Sequence, residues 1–185
     1  AGSVSRLLES ADPELSDELR EITYGSIGTL NLIFKKQQLH HSLNGMGFVV
    51  PEIENRKLLA CTFSSTKFPN RAPEDHVILR AFYKEIPRPE GYSGRGEQID
   101  PILEELRNIL GIRGNPEVCI DSWYPNLMPQ YHVGHLARVR RIEERVKKLP
   151  NLAIAGSGYR GVGIPDCIDS ANRATNQILD SLDFG

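Results

Sequence analysis

The chain has 185 residues, 39% of them hydrophobic and 25% charged, and a net charge of -2, which suffices for one domain, or one and a half, with a real core. That balance gives no general pull toward nucleic acid or anionic lipid, and no run approaches the roughly 18 apolar residues of a membrane span. Cys61, Cys119 and Cys167 are odd in number and widely spaced without a C-x-x-C, so reduced thiols are expected rather than a disulfide framework or a zinc site. With no secretory leader at the start, the expected location is the cytoplasm, association at the membrane periphery being left open.

Residues 4 to 10 and 13 to 21 read as two short helices, with Asp12 as cap and Pro13 as first position of the second. From residue 23 to 34 the pattern changes to period two, with Leu30, Leu32 and Phe34 on one face, which predicts a long strand. The polar segment 35 to 44 contains His40 and His41. Adjacent residues point two ways, so a solvated loop is expected there and not a shared metal.

Three more strands are predicted at 47 to 50, 58 to 63 and 76 to 83, and their short connections favour an antiparallel sheet. In the last, Val77, Leu79, Ala81 and Tyr83 fall on one side and Ile78, Arg80 and Phe82 on the other. Both faces carry apolar residues, so a cover is expected on each. Residues 87 to 96, with two prolines and three glycines, read as a loop. Asp100 and Pro101 open a helix whose Ile102, Leu103, Leu106, Ile109 and Leu110 form one stripe, ended by Gly111.

Residues 117 to 124 read as a strand carrying Trp123, the one tryptophan. Residues 135 to 149 read as a helix with Leu136, Val139, Ile142 and Val146 inward and Arg138, Arg141, Arg145, Lys147 and Lys148 outward. Glu143 and Glu144 precede Lys147 and Lys148 by four residues and no aromatics interleave, so this is read as a solvated face rather than a nucleic-acid footprint. His132 and His135 stand three apart across Gly134, with no Cys or acid to complete a metal site. There is no nucleophile beside a base and no pair of carboxylates in an apolar setting.

The apolar run 152 to 155 reads as a buried strand, followed by a glycine-dense turn through Gly163 and a helix entered at Pro165. Ile168, Ala171, Thr175, Ile178 and Leu182 recur at spacings of three and four, so one helix face can be buried. A strand, a glycine turn and a helix N-terminus form a generic site for anionic or electron-rich groups. Gly156, Gly158 and Gly161 formally match G-x-G-x-x-G. The dinucleotide fingerprint is rejected because its helix must open inside the motif and a second strand must follow.

As a longer string, Gly156-Ser-Gly-Tyr-Arg-Gly-Val-Gly-Ile-Pro-Asp-Cys-Ile168 closely resembles the C-terminal flavin-binding signature of the porphyrinogen oxidases. These are FAD enzymes that make protoporphyrin or coproporphyrin in haem synthesis. Met128-Pro-Gln-Tyr131, with Gly134, His135 and a helix after it, resembles a second block of that family. Phe48-Val-Val-Pro51 and Leu58-Leu-Ala-Cys-Thr-Phe-Ser-Ser-Thr-Lys-Phe-Pro69 resemble a third. The chain departs from the pattern where Lys84 and Glu85 replace a Gly-Gly pair.

The resemblance implies an α+β fold: a mainly antiparallel sheet with packed helices over residues 1 to 150, the substrate-binding portion, and a C-terminal strand, turn and helix over 151 to 185 belonging to the FAD-binding domain. It implies FAD as cofactor, met by Trp123, Gly156, Val162, Gly163 and Ile164, and a tetrapyrrole substrate lined by Met46, Gly47, Val49 and Phe82, with oxygen as oxidant. No catalytic side chain is assigned, since the flavin ring itself accepts the hydride. Nothing corresponds to the family's N-terminal dinucleotide-binding unit, so a C-terminal piece of a longer oxidase is expected, inactive alone, with a tail that pairs with another copy or lies partly disordered. The alternatives are another flavin amine oxidase or desaturase, or a non-catalytic porphyrin-binding module.

Overall fold

The computed structural model describes residues 1–84 and 99–182. The chain folds as two compact units, Ser26–Pro125 and a second built from Ala1–Gly25 with Asn126–Gly185. The loop expected at 87 to 96 lies outside the described residues.

Unit Ser26–Pro125 is organised by a five-stranded sheet, two of whose strands run a few residues into the other unit's sequence. The strands are β1 (Tyr24–Lys35), β2 (Gly47–Val49), β3 (Leu58–Phe63), β4 (His76–Tyr83) and β5 (Val118–Pro129), in the order β2-β3-β4-β1-β5. The pairs β2/β3, β3/β4 and β1/β4 are antiparallel. For the strands of this sheet, prediction and structure agree to within a residue except at the far end of β5, which runs on to Pro129. Between β3 and β4 lies a single helical turn, α3 (Ser64–Lys67), whose Ser65 Oγ accepts the Ile78 N–H at 3.0 Å.

Alternation along β1 and β4 sends Leu30, Leu32, Phe34, Val77, Leu79, Ala81 and Tyr83 to one face, where all are buried. Helix α4 (Asp100–Leu110) brings Ile102, Leu103, Leu106 and Leu110 to the same core. It ends on Gly111 in the left-handed region, φ +61°, as a helix C-terminus favours. Glu105 of α4 accepts the Lys57 and Leu58 N–H groups at 3.1 and 2.9 Å, capping the start of β3. Gly28 stands opposite Tyr83, and a Cβ there would lie 2.0 Å from the tyrosine ring. The Tyr83 hydroxyl donates to Asp121 at 2.6 Å.

The second unit is helical: α1 (Gly2–Leu8), α2 (Pro13–Arg20), α5 (His135–Val146) and α6 (Ile164–Leu182). Leu15, Leu19, Ile22, Val139, Ile142, Val146 and Tyr159 form its core. Asp12 caps α2 by accepting the Leu15 N–H at 2.9 Å. Of the basic row, Arg141, Lys147 and Lys148 are exposed as expected, but its three arginines also pair with acids. Arg145 forks onto Asp12 at 2.9 and 3.2 Å, Arg141 forks onto Glu18 at 2.6 and 2.9 Å, and Arg138 reaches Glu18 and Glu21. The charges serve to lock two helices together.

Two expectations are corrected here. Residues 152 to 155 form no strand, because a strand exists only through a ladder with a neighbour and no described strand lies beside them. Instead Leu152 and Ile154 pack on the helical core, and the Leu152 carbonyl accepts from Gln177 Nε2 at 3.2 Å. The apolar face of α6 is not buried either: no residue of α6 is, and Ile168, Leu179 and Leu182 are more than half exposed. Periodicity shows which face can be covered, not that a cover is present. The half-buried line is Cys167, Ser170, Ala174 and Ile178, rotated from the one expected.

Arg145's hydrogen bonds, and after them the Leu15 N–H, hold the Asp12 carboxyl below its ordinary value of 3.8. The stability it contributes is therefore complete above that value and is lost as pH falls through the lower folded one. Asp12→Ala removes cap and ion pair together and is expected to cost roughly 1 to 2 kcal/mol at pH 7. Asp12→Asn, which keeps a cap acceptor, should cost less, and urea unfolding as a function of pH checks both, the difference from wild type narrowing as pH falls through the lowered folded value. In the sheet unit His76 bonds Glu117 at 2.9 Å and Asp75 at 2.7 Å, and Glu117 first, then Asp75, raises its pKa above 6.5. That contribution is complete below 6.5 and lost as pH rises through the folded value. Glu117→Gln should shift the His76 titration down, read by NMR of the ring protons.

Candidate functional site

The glycine turn ahead of α6 is shaped by one carboxylate. Asp166 Oδ2 accepts the Gly163 N–H at 3.1 Å, and a Cβ at Gly161 or Gly163 would come within 2.4 or 2.9 Å of that side chain. A side chain at Gly161 would displace Asp166 from this position, whereas at Gly163 it would meet only the movable carboxylate oxygen. Gly156 differs: its φ is +127° with open space around the Cβ position, so backbone conformation alone asks for glycine. Val162 and Ile164 are 49% and 77% exposed, an apolar rim at the N-terminus of α6, where the helix dipole favours negative charge. Pro165 sits one residue inside the helix, which starts at Ile164.

Two of the blocks that carried the resemblance meet in this unit. The Tyr131 hydroxyl donates to the Ser157 carbonyl, and its ring stacks on His135 at 4.2 Å. His135, buried, bonds the Tyr159 carbonyl through Nε2 at 2.7 Å. His132 Nε2 lies 3.0 Å from Thr23 Oγ1. Both histidines therefore do structural work, and among the described residues no cluster suited to a metal ion is found. Burial, and then Tyr24, pushes the Tyr159 hydroxyl up to about 12, and it has no hydrogen-bond partner among the described residues. These residues present an apolar edge and a helix N-terminus suited to one side of a planar electron-rich ring.

The sheet unit holds the other predicted residues. Pairing places Val49 opposite Ala60, Ala60 opposite Phe82 and Phe82 opposite Thr29, a single row across four strands. The next row runs Gly47, Thr62, Arg80, Asn31. Gly47, Val49 and Phe82 thus share the sheet face turned away from the core. Val49 is 78% exposed, and Ile120 of β5 also stands exposed. Met46 precedes the row; its carbonyl accepts the Phe63 N–H at 3.0 Å and its side chain is exposed. Gly47 has φ +142° and a Cβ there would lie 2.2 Å from the Cys61 carbonyl oxygen, so the sheet itself demands glycine.

Trp123 packs against the sheet core, its ring 6.2 Å from that of Tyr83. It lies in the sheet unit, whereas Gly156, Val162, Gly163 and Ile164 lie in the helical one. Lys84 continues the β3/β4 ladder through its N–H to the Lys57 carbonyl at 2.9 Å, and Glu85 lies outside the described residues. His41 Nδ1 accepts the Leu43 N–H, a local loop contact. Sequence reasoning did not single out Asp166 as the organiser of the turn, nor Tyr131 and His135 as its staple, because the staple's contacts span 26 and 24 residues and no local spacing announces them. Arg80 was legible only as the odd member of an alternating strand.

The flavin containing amine oxidoreductase family matches residues 3–179. The chain belongs to this family. Among named relatives it is 32% identical to coproporphyrinogen III oxidase of Bacillus subtilis over 98% of the chain and 38% of the relative. Against the Staphylococcus aureus coproporphyrinogen III oxidase the figures are 29%, 90% and 36%. Against human protoporphyrinogen oxidase they are 27%, 97% and 39%. The crystal structure of a putative protoporphyrinogen oxidase from Exiguobacterium sp. 255-15 superposes with a TM-score of 0.72 at 32% identity, covering 95% of this chain and 40% of that one. A reduced UDP-galactopyranose mutase shares the fold at 13% identity and a TM-score of 0.54 over 74% of the chain. The chain spans less than half the length of the curated relatives it matches.

Alanine at Gly47 combines a left-handed φ with a clash on backbone, and is expected to cost roughly 2 to 6 kcal/mol. Alanine at Gly156 meets open space and should cost only the conformational part, roughly 1 to 3 kcal/mol. Denaturant unfolding of the two variants side by side tests the distinction.

Proposed function

We propose that this chain supplies the substrate wall and the flavin-edge segment of an FAD-dependent porphyrinogen oxidase, which oxidises coproporphyrinogen or protoporphyrinogen to the porphyrin with oxygen. The observation that carries the reading is the register that gathers Gly47, Val49 and Phe82 onto the sheet face turned away from the core. A tetrapyrrole is broad and mostly apolar, and the Val49, Ala60 and Phe82 row can remove part of its surface from water while a few polar groups stand beside that row. Met46, at the entry to β2, extends the wall.

In the same reading, Val162, Gly163 and Ile164 carry the N-terminus of α6 to the flavin, and Gly156 lies on the approach to its ribityl arm. FAD, when bound, supplies the hydride acceptor. Val162 and Ile164 exclude water from the ring edge, and the dipole of α6 favours negative charge there. Residues 1 to 150 then count as the substrate-binding portion and 151 to 185 as part of the FAD-binding domain. The exposed stripe of α6, Ile168, Leu179 and Leu182, is the surface through which that segment packs on the rest of the FAD-binding domain or, in the isolated chain, on a second copy. We place the protein in the cytoplasm, any membrane contact being peripheral.

The test exchanges this chain for the corresponding part of the Bacillus subtilis coproporphyrinogen III oxidase. The hybrid is expected to purify yellow and to turn coproporphyrinogen III into fluorescent coproporphyrin III, while the 185-residue chain alone carries no stoichiometric flavin and no activity. A folded, flavin-loaded hybrid that leaves porphyrinogen untouched would overturn the reading. So would oxidase activity in the isolated chain.

A further inference from the structure

Arg80 is the one charged side chain in the two rows that cross the open face of the sheet. On its own strand its same-face neighbours are Ile78 and Phe82, and across the strands Thr62 and Asn31 stand opposite it. It is exposed and pairs with no carboxylate among the described residues, whereas Arg138, Arg141, Arg145 and Arg160 are all committed to Glu or Asp. An arginine on a solvated sheet face is ordinary when acids surround it. Here the surroundings are neutral and half apolar.

Its orientation is also constrained. Arg80 Nε donates to Asn31 Oδ1 at 2.8 Å, which holds the guanidinium plane from the β1 side and leaves the two Nη amino groups. That pair is the edge of arginine that takes a carboxylate in two parallel, charge-assisted bonds. Asn31 contributes no charge of its own, so the anchor stays cationic. The row containing Val49, Ala60 and Phe82 lies two residues along the strands from Arg80, about 7 Å away. The face therefore offers an apolar platform with one fixed cation beside it.

We infer that Arg80, positioned by Asn31, binds a side-chain carboxylate of the tetrapyrrole whose ring lies on the Val49 and Phe82 row. The inference rests on the proposed substrate wall and adds a recognition element to it. The ligand class it selects is an apolar macrocycle with acidic arms; a neutral macrocycle of the same shape gains the platform but not the anchor. Lysine at position 80 keeps the charge and loses the fork, so it should recover only part of the effect.

The experiment titrates the 185-residue chain with coproporphyrin III and with its tetramethyl ester in one fixed detergent, following porphyrin absorbance. Wild type is expected to bind the acid at least tenfold tighter than the ester, and added salt should weaken only the acid. In Arg80→Gln the acid is expected to weaken by roughly 10 to 100-fold, the scale of a hydrogen bond to a charged group, while the ester is unchanged and the salt effect is lost. Arg80→Lys falls between. Phe82→Ala should weaken acid and ester alike. An acid-to-ester ratio that survives Arg80→Gln overturns the anchor; if Phe82→Ala still weakens both ligands, the substrate wall stands without it. No binding of either porphyrin to the folded chain overturns anchor and wall together.

Discussion

Among the described residues the apolar core gathers on one side of the sheet, and the rest of the sheet unit follows from that asymmetry. Leu30, Leu32 and Phe34 of β1, Leu79, Ala81 and Tyr83 of β4, and Ile102, Leu106 and Leu110 of α4 fill the covered side, each large side chain contributing about 1.5 to 3 kcal/mol by its burial. Side chains alternate strictly, so the same pairing sends Thr29, Asn31, Arg80 and Phe82 outward. A slip of one residue would bury the Arg80 guanidinium without a partner and expose Leu79 and Ala81. Core packing thus fixes the outer face, although none of its energy comes from that face.

Glycines tighten the arrangement at two points and for two reasons. Gly28 leaves room for the Tyr83 ring, which lets the hydroxyl reach Asp121 and seats Trp123 beside it. Gly47 lets the edge strand approach β3 where any side chain would strike the Cys61 carbonyl. Cys61 itself is part of this packed layer, and burial pushes its thiol up to about 12, far from the reactive range. A sheet edge so close to its neighbour is a rigid base for the row that begins at Gly47.

The helical unit is held differently. Its apolar core is small, and the bidentate pairs of Arg141 with Glu18 and Arg145 with Asp12 add direction that apolar contacts lack. Asp12 serves two helices at once, capping α2 and receiving Arg145 from α5. The turn before α6 repeats the device on a smaller scale: Asp166 folds back onto Gly163, and Tyr131 and His135 hold residues 157 and 159 from the α5 side. What these contacts leave uncovered is consistent in kind, an apolar rim at Val162 and Ile164 and an apolar stripe along α6.

Sequence alone determined the elements whose signals are local. Period two marked β1 and β4, the Asp12-Pro13 start marked α2, and the apolar stripe closed by Gly111 marked α4. The motif strings determined the family, because a run such as residues 156 to 168 is specific in itself. Tertiary structure decided everything that needs a second segment. Residues 152 to 155 carry a strand's composition without a ladder partner and so make no strand. Three arginines of the solvated basic row also find acids at Asp12 and on α2, more than a hundred residues away. Arg80 becomes a distinct chemical feature only once pairing sets Asn31 and Thr62 beside it. Propensity and periodicity are properties of one segment, whereas ladders, ion pairs and shared faces belong to two, and only the folded chain says which two meet.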